Sequence, residues 1–238
     1  RPEDIVDFAD DESFFAAPEV LPCCVTNENG SKAGDPLNLV IIGGIEDAFP
    51  ALERHPLLAF FIYLFIIDFA EYWRHRLSHT FGWWWALHAI HHSQRQMSLW
   101  TDSRNHLLDD LIGGAWFAVI ALVIGVPPGH FIGLMVAIRL VENLSHVNAR
   151  LSFGWLGERL LVSPRYHRWH HAVELPDGRE YRHGCNFAIL FPIWDRLFGT
   201  QYMGAGLPAT GVHSPLLSSP EHADHFWAQQ KDGIACLI

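Results

Sequence analysis

The pattern of apolar and polar positions divides the chain before any single residue does. Residues 1–36 are polar, acidic and punctuated by Pro and Gly, with one short apolar run around Phe14 to Val20. They predict a flexible acidic segment. Leu37 to Leu52 is apolar but interrupted by Gly43-Gly44, Glu46 and Asp47, an interfacial helix rather than a span. Pro56 to Ile67 is apolar on every face, as a helix in lipid should be. It falls short of the roughly 20 residues needed to cross a bilayer. Continuation through the interfacial aromatics Tyr72 and Trp73 to His79 supplies the missing length. On such a helix Asp68, Tyr72, His75 and His79 lie along one stripe.

Two further apolar stretches, Leu111 to Val126 and Phe131 to Val141, flank Pro127-Pro128-Gly129, a strong turn signal. They predict a helical hairpin in the bilayer, so that the chain leaves and re-enters on one side. Leu151 to Leu161 reads as an amphipathic surface helix. Ser163-Pro164 opens another, with Ser as N-cap and Pro at the first helical position. Pro176-Asp177-Gly178 is a turn, and Asn186 to Thr200 is a last structured element. Beyond Gly204 the Pro-, Ser-, Gly- and Ala-rich tail is expected to loop over the polar cap. The predicted fold class is all-α, an integral membrane helical bundle of hairpin spans with a cytosolic helical cap. Its predicted parts are an N-terminal segment 1–36, a membrane-embedded domain 37–204 and a tail 205–238.

Composition leans towards a membrane protein or a very apolar core: half of the 238 residues are apolar, 18% are charged and ten are Trp. Of the net charge of −10, residues 1–36 hold −7, from nine acids against Arg1 and Lys32. An acidic chain with no basic patch argues against a nucleic-acid partner. Four cysteines without a CxxC pair make neither a disulfide framework nor a thiolate metal site. Segments 71–106 and 139–171 hold nine arginines, and the turn at 127–130 holds none. The positive-inside rule then places both segments on the cytoplasmic face, of the endoplasmic reticulum in a eukaryote or the inner membrane in a bacterium.

Those two segments carry the chemistry. The first reads His75-x3-His79 and then His88-x2-His91-His92; the second holds His146 and then His167-x2-His170-His171. Residues three and four apart share a helix face, so each block can converge its imidazoles. Neutral imidazole ligates iron, zinc, copper and nickel. Nine are too many for one ion and about right for two. Ligation requires neutral rings, which sets an expected acid limit near pH 6. His55, His130, His213, His222 and His225 fit no spacing and are expected to be ordinary.

These blocks, with Asn186 and Trp194-Asp195-Arg196-Leu197-Phe198-Gly199-Thr200 behind them, resemble the fatty acid hydroxylase/sterol desaturase superfamily over roughly residues 56–200. The resemblance implies a membrane-bound non-haem di-iron oxidoreductase. Such an enzyme uses O₂ and an external electron-transfer protein to hydroxylate or desaturate a sterol or fatty-acyl lipid. It implies metal ligation by His75, His79, His88, His91, His92, His146, His167, His170 and His171, with His183 able to complete the set. Some relatives carry a fuller histidine pair where this chain has Glu142 and His146. Asp68, Glu71, Asp102, Arg104, His106, Glu142, Asn148, Asn186 and Asp195 are the candidates to support the ligands from behind, since a ligating His usually donates its other N–H to a carboxylate or carbonyl. No catalytic residue beyond the ligands is assigned. Breaking an unactivated C–H bond needs redox metal chemistry, which a cofactor carries while the protein orients and insulates it. Two irons are the expected cofactors, with zinc a substitute in purified material. The rival readings are a histidine-rich membrane protein that binds or moves metal, a zinc hydrolase, and a catalytically silent structural homologue. Nine histidines exceed the three ligands a catalytic zinc needs, and the almost purely apolar spans count against transport.

Overall fold

An unbroken apolar run without Gly or internal Pro carries Pro56–Thr80 as one 25-residue helix, α1. At 1.5 Å per residue it is about 37 Å long, more than the roughly 30 Å of a bilayer core. It is two-faced. Leu57, Phe61, Phe65 and Phe69 are exposed, while Leu64, Asp68, Tyr72, His75 and His79 are buried along the opposite stripe.

The computed structural model describes residues 24–26, 33–36, 55–175, 184–219, 222 and 225–237. The chain divides into two compact units, Arg1–Ala59 and Phe60–Ile238. In the first, β1 (Cys24–Thr26) pairs antiparallel with β2 (Ala33–Pro36), an irregularity separating the Cys24–Pro36 and Thr26–Ala33 pairs. Apart from those seven residues, the segment read as flexible (1–36) and the interfacial stretch 37–52 lie outside the described residues, as does the turn at 176–178.

In the second unit helix is the only named regular element among the described residues. After α1 come α2 (Gly82–His92), a single 3-10 turn (Thr101–Ser103), α3 (Leu107–Val123) and α4 (Pro128–Ser145). Then follow α5 (Gly154–Leu160), α6 (Pro164–His170), α7 (Ile193–Leu197) and α8 (Phe226–Ala235). The hairpin α3–α4 starts earlier and ends later than its apolar core. His106 caps α3, its Nδ1 accepting from the Leu108 N–H at 3.0 Å. Gly125, at φ 68°, makes the bend, and Pro128 opens α4 instead of standing within the turn. Proline suits the first helical position because its missing N–H would have no intrahelical partner there. Among the described residues α1 is the one helix long and apolar enough to cross a membrane.

Ser163 caps α6 as its sequence predicts, accepting from Tyr166 N. Helix α8 was not legible: the stretch expected to loop forms a helix that packs on α2. Gly233 lets the two approach, since a Cβ there would stand 2.7 Å from His106 and 2.9 Å from Ile90.

Behind the histidines, Tyr72, Val162, Tyr166, Phe187, Ala188 and Trp194 form one buried cluster. Two buried carboxylates pin the chain that threads it. Asp195 accepts from the N–H groups of Phe187 and Ala188, both at 2.8 Å, and from Tyr166 OH at 2.9 Å. Asp68 accepts from Leu190 N, Phe191 N and Trp194 Nε1 at 2.8, 3.1 and 2.8 Å. A buried carboxylate left unpaired would be costly, and here the backbone N–H groups satisfy it.

Candidate dimetal centre

The nine histidines converge, and they sort into two groups. His75, His79, His88, His92 and His170 form one; His91, His146, His167 and His171 form the other. Within each group one nitrogen per ring lies within 4.8 Å of all the others. The sorting follows helix geometry. Residues four apart stay together, as with His75/His79, His88/His92 and His167/His171, because they lie about 40° apart around a helix. The second histidine of each His-x2-His-His block, His91 or His170, turns to the opposite group. Each block therefore feeds both groups. The two meet where the His92 and His171 rings stack at 4.2 Å.

All nine rings are buried. In the first group His75 Nδ1 donates to Phe187 O (2.9 Å), His88 Nδ1 to Asp109 Oδ2 (2.8 Å) and His170 Nδ1 to Cys185 O (2.8 Å). Each such bond fixes the tautomer and leaves the Nε2 lone pair for the site. His88 Nε2 and both nitrogens of His79 and His92 are buried with no hydrogen-bond partner among the described residues. In the second group His146 Nδ1 donates to Glu142 O (2.6 Å), one turn back. Its Nε2 lies 3.1 Å from His91 Nε2 and 2.9 Å from His167 Nε2, which is 3.1 Å from His171 Nε2. Adjacent nitrogens at right angles around an ion about 2.1 Å away would be about 3.0 Å apart. Lone pairs crowded at that spacing, with the nitrogens of His79 and His92 buried without a partner among the described residues, fit a cation in each group.

Burial favours the neutral form of several of these rings. It pulls His91, His92, His167 and His171 well below their ordinary pKa, each lowered further by neighbouring imidazoles, and takes His170 down to about 3. His146 is lowered too, mainly by burial and against the opposing charge of Asp102.

The residues expected behind the ligands divide. Asp195, Asn186 and Asp68 act one layer further out, by fixing segment 185–191. Asn186, at φ 55°, donates to Tyr166 O and Tyr202 O and accepts from Tyr202 N. That segment presents the carbonyls of Cys185 and Phe187 to His170 and His75. Glu142 reaches His146 by its backbone carbonyl, while its carboxylate pairs with Arg139, as does that of Asp102. Three others make contacts of their own. Arg104 bonds Ile90 O and Ser93 Oγ at the end of α2, where the last carbonyls of a helix attract a guanidinium. His106 spends both nitrogens on capping α3 and on Gln230 O. Asn148 accepts from Arg168 at the surface. His183 lies outside the described residues.

Sequence reasoning missed Asp109, the one carboxylate bonded directly to a clustered histidine among the described residues, which also accepts from Trp84 Nε1 at 2.8 Å. Its signal was the Asp109-Asp110 pair inside an otherwise apolar run. His222, expected to be ordinary, is fully buried and links Ser93 Oγ (3.1 Å) to Asp232 Oδ2 (2.8 Å).

Both groups open on one cavity of about 140 Å³, lined by His75 and His88 from the first and His91, His146 and His167 from the second. It continues between α3 and α4 to Phe117, Phe131, Met135 and Ile138.

Comparison with known proteins agrees with this geometry. The fatty acid hydroxylase family model matches residues 60–200, which is 141 of the 238 residues. An ornithine lipid hydroxylase of Rhizobium tropici is 31% identical over 137 residues, 58% of this chain and 40% of that protein. The human alkylglycerol monooxygenase is 34% identical over 140 residues, 56% of this chain and 28% of its own length. Methylsterol monooxygenase 1-3 of Arabidopsis thaliana is 27% identical over 165 residues, 66% of this chain and 53% of that protein. The chain thus spans about a quarter to a half of these relatives. No solved structure matches it.

Proposed function

Since the chain belongs to the fatty acid hydroxylase family, we propose that it is a membrane-bound oxidoreductase that hydroxylates a lipid C–H bond. The observation that carries this reading is the single cavity shared by two all-imidazole groups and continued by an apolar passage between α3 and α4. A zinc hydrolase needs three ligands and one open position, and a transport site needs polar residues along a path through the spans.

On this reading the first group would hold one iron through His75, His79, His88, His92 and His170, and the second another through His91, His146, His167 and His171. When bound, the iron pair would supply the oxidising power for C–H cleavage, with two electrons delivered by an external donor. One oxygen atom of O₂ enters the C–H bond and the other leaves as water, with two protons consumed. The chain's own residues orient and insulate. Asp109 and the carbonyls of Phe187, Cys185 and Glu142 hold four rings with Nε2 turned inward. Phe117, Phe131, Met135 and Ile138 exclude water from the approach and accept the apolar part of the substrate.

The exposed apolar faces of α1, α3 and α4, including Phe61, Leu111, Leu122, Ile132 and Leu140, support embedding of these helices in lipid. The arginine distribution supports a cytoplasmic position for the histidines. The relatives named for ornithine lipid, alkylglycerol and methylsterol support a lipid substrate, and their hydroxylase and monooxygenase names support O₂ as co-substrate and a separate electron donor. The test is elemental mass spectrometry on detergent-purified protein expressed with iron, followed by a lipid screen with O₂ and a reductant. About two irons per chain and a product heavier by one oxygen are expected. Folded protein without metal would overturn the reading.

A further inference from the structure

The cavity wall nearest the histidines is charged, which an enzyme acting on a bare hydrocarbon chain does not need. Glu71 and Asp110 line it, as do Asp102 and Glu142, against two guanidiniums, Arg74 and Arg139. Arg74 Nε binds Glu71 Oε2 at 2.7 Å, and Arg139 binds Asp102 at 2.9 Å and Glu142 at 3.3 Å. Asp109 lines it too, with both oxygens already taken. Carboxylates therefore outnumber cations. Glu71 is 6% exposed, and its Oε1 is buried with no partner among the described residues. An unsatisfied buried carboxylate oxygen costs the folded state free energy unless something donates to it.

We propose that this wall is a head-group subsite for an amphipathic lipid whose polar end donates hydrogen bonds, an ammonium or neighbouring hydroxyls, with Glu71 as its principal acceptor. The inference rests on the lipid-hydroxylase reading and specifies its substrate. Spacing sets the region of attack. Glu71 stands four residues before His75 and Glu142 four before His146, so each lies one helical turn from a clustered histidine, about 5–6 Å between Cβ atoms. A head group held there keeps the first few carbons of its chain nearest the histidines, while the remainder runs away from them towards Phe117 and Phe131. Gly114, with nothing within 4 Å of a built Cβ, leaves part of that passage open.

The test uses iron-loaded protein and three radiolabelled probes of equal chain length: dodecylamine, 1-O-dodecylglycerol and dodecyl methyl ether. Binding is read by scintillation proximity, and products by mass spectrometry after O₂ and a reductant. Wild type is expected to hold the amine or the glycerol ether at least about tenfold more tightly than the methyl ether, the better of the two identifying the donor. Glu71→Gln should cut that preference to within about threefold at unchanged iron content; if it loses iron, Asp110→Asn at the rim takes its place. Gly114→Leu should weaken all three probes. Oxidation should fall within the first few carbons from the head. Equal binding of the three probes by wild type, or oxidation only at remote carbons, would overturn the subsite while leaving the oxygenase reading intact. Preserved head-group preference and Glu71 dependence with no oxidation of any probe would keep the subsite and overturn the oxygenase.

Discussion

The two histidine groups are built from the same residue type at the same helical spacing, yet they are held differently. In the five-histidine group three rings are anchored from behind, by Asp109 and by the carbonyls of Phe187 and Cys185. In the four-histidine group one ring is anchored, by the carbonyl of Glu142, while Nδ1 of His91, His167 and His171 is buried without a partner among the described residues. Anchoring lowers the cost of bringing the ligands into place and raises their basicity. The first group should therefore bind its ion more tightly, and the second should exchange its ion more readily.

The strongest way to break the comparison is to remove a ring. His88→Ala should empty the first group and abolish turnover, by 10³-fold or more, leaving about one metal per chain by elemental analysis. His167→Ala should do the same from the other side. Two metals in either variant would contradict the sorting. Next comes the anchor. Asp109→Asn should lower metal affinity of the first group by roughly 10–100-fold, the usual cost of losing a partner behind a ligand, while the second group is unaffected. Glu142→Gln is the matched control: Glu142 holds His146 by its backbone, so metal affinity should be almost unchanged. Limited chelation sharpens the contrast further, with loss in two phases and the second group emptying first; a single phase would say that the groups are equivalent.

Acid acts on both groups. In metal-free protein burial keeps His91, His92, His167, His170 and His171 neutral, whereas in the unfolded chain they take up protons below about pH 6.5. The unfolded state then binds more protons, so stability falls as pH drops from about 6.5 towards the depressed native values, such as about 3 for His170. Thermal unfolding of metal-free protein should show a falling midpoint over that window. The smallest effect is reserved for His213, paired with Glu174 at 3.0 Å on the exposed surface. Its replacement by Ala should change stability by no more than about 0.5 kcal/mol.

Much of this was legible because it is local. Helical period alone puts His75 beside His79, and Ser163-Pro164 marks the start of α6. The division of each His-x2-His-His block between two groups also follows from that period, once the structure supplies two groups to divide between. Asp109, Cys185 O and Phe187 O were not legible, since each reaches its histidine across a long stretch of sequence and backbone carbonyls carry no residue signature. Helix α8 was hidden because its mixed polar sequence gains helicity mainly from packing on α2. The second carboxylate role, of Asp68 and Asp195 in pinning segment 185–191, looked in sequence like any acid near a site.

The sorting of the histidines also sets an order of events. Four of the five rings of the first group lie within residues 75–92, on α1 and α2, which follow each other directly. The second group has one ring there and draws the others from the end of α4 and from α6. Closing the first needs little chain entropy, and closing the second must wait for segments 55 to 80 residues away. Metal capture during folding should thus be sequential: an ion taken by the early cluster would become a template on which α6 docks through His170, and that docking would deliver His167 and His171 to the late one.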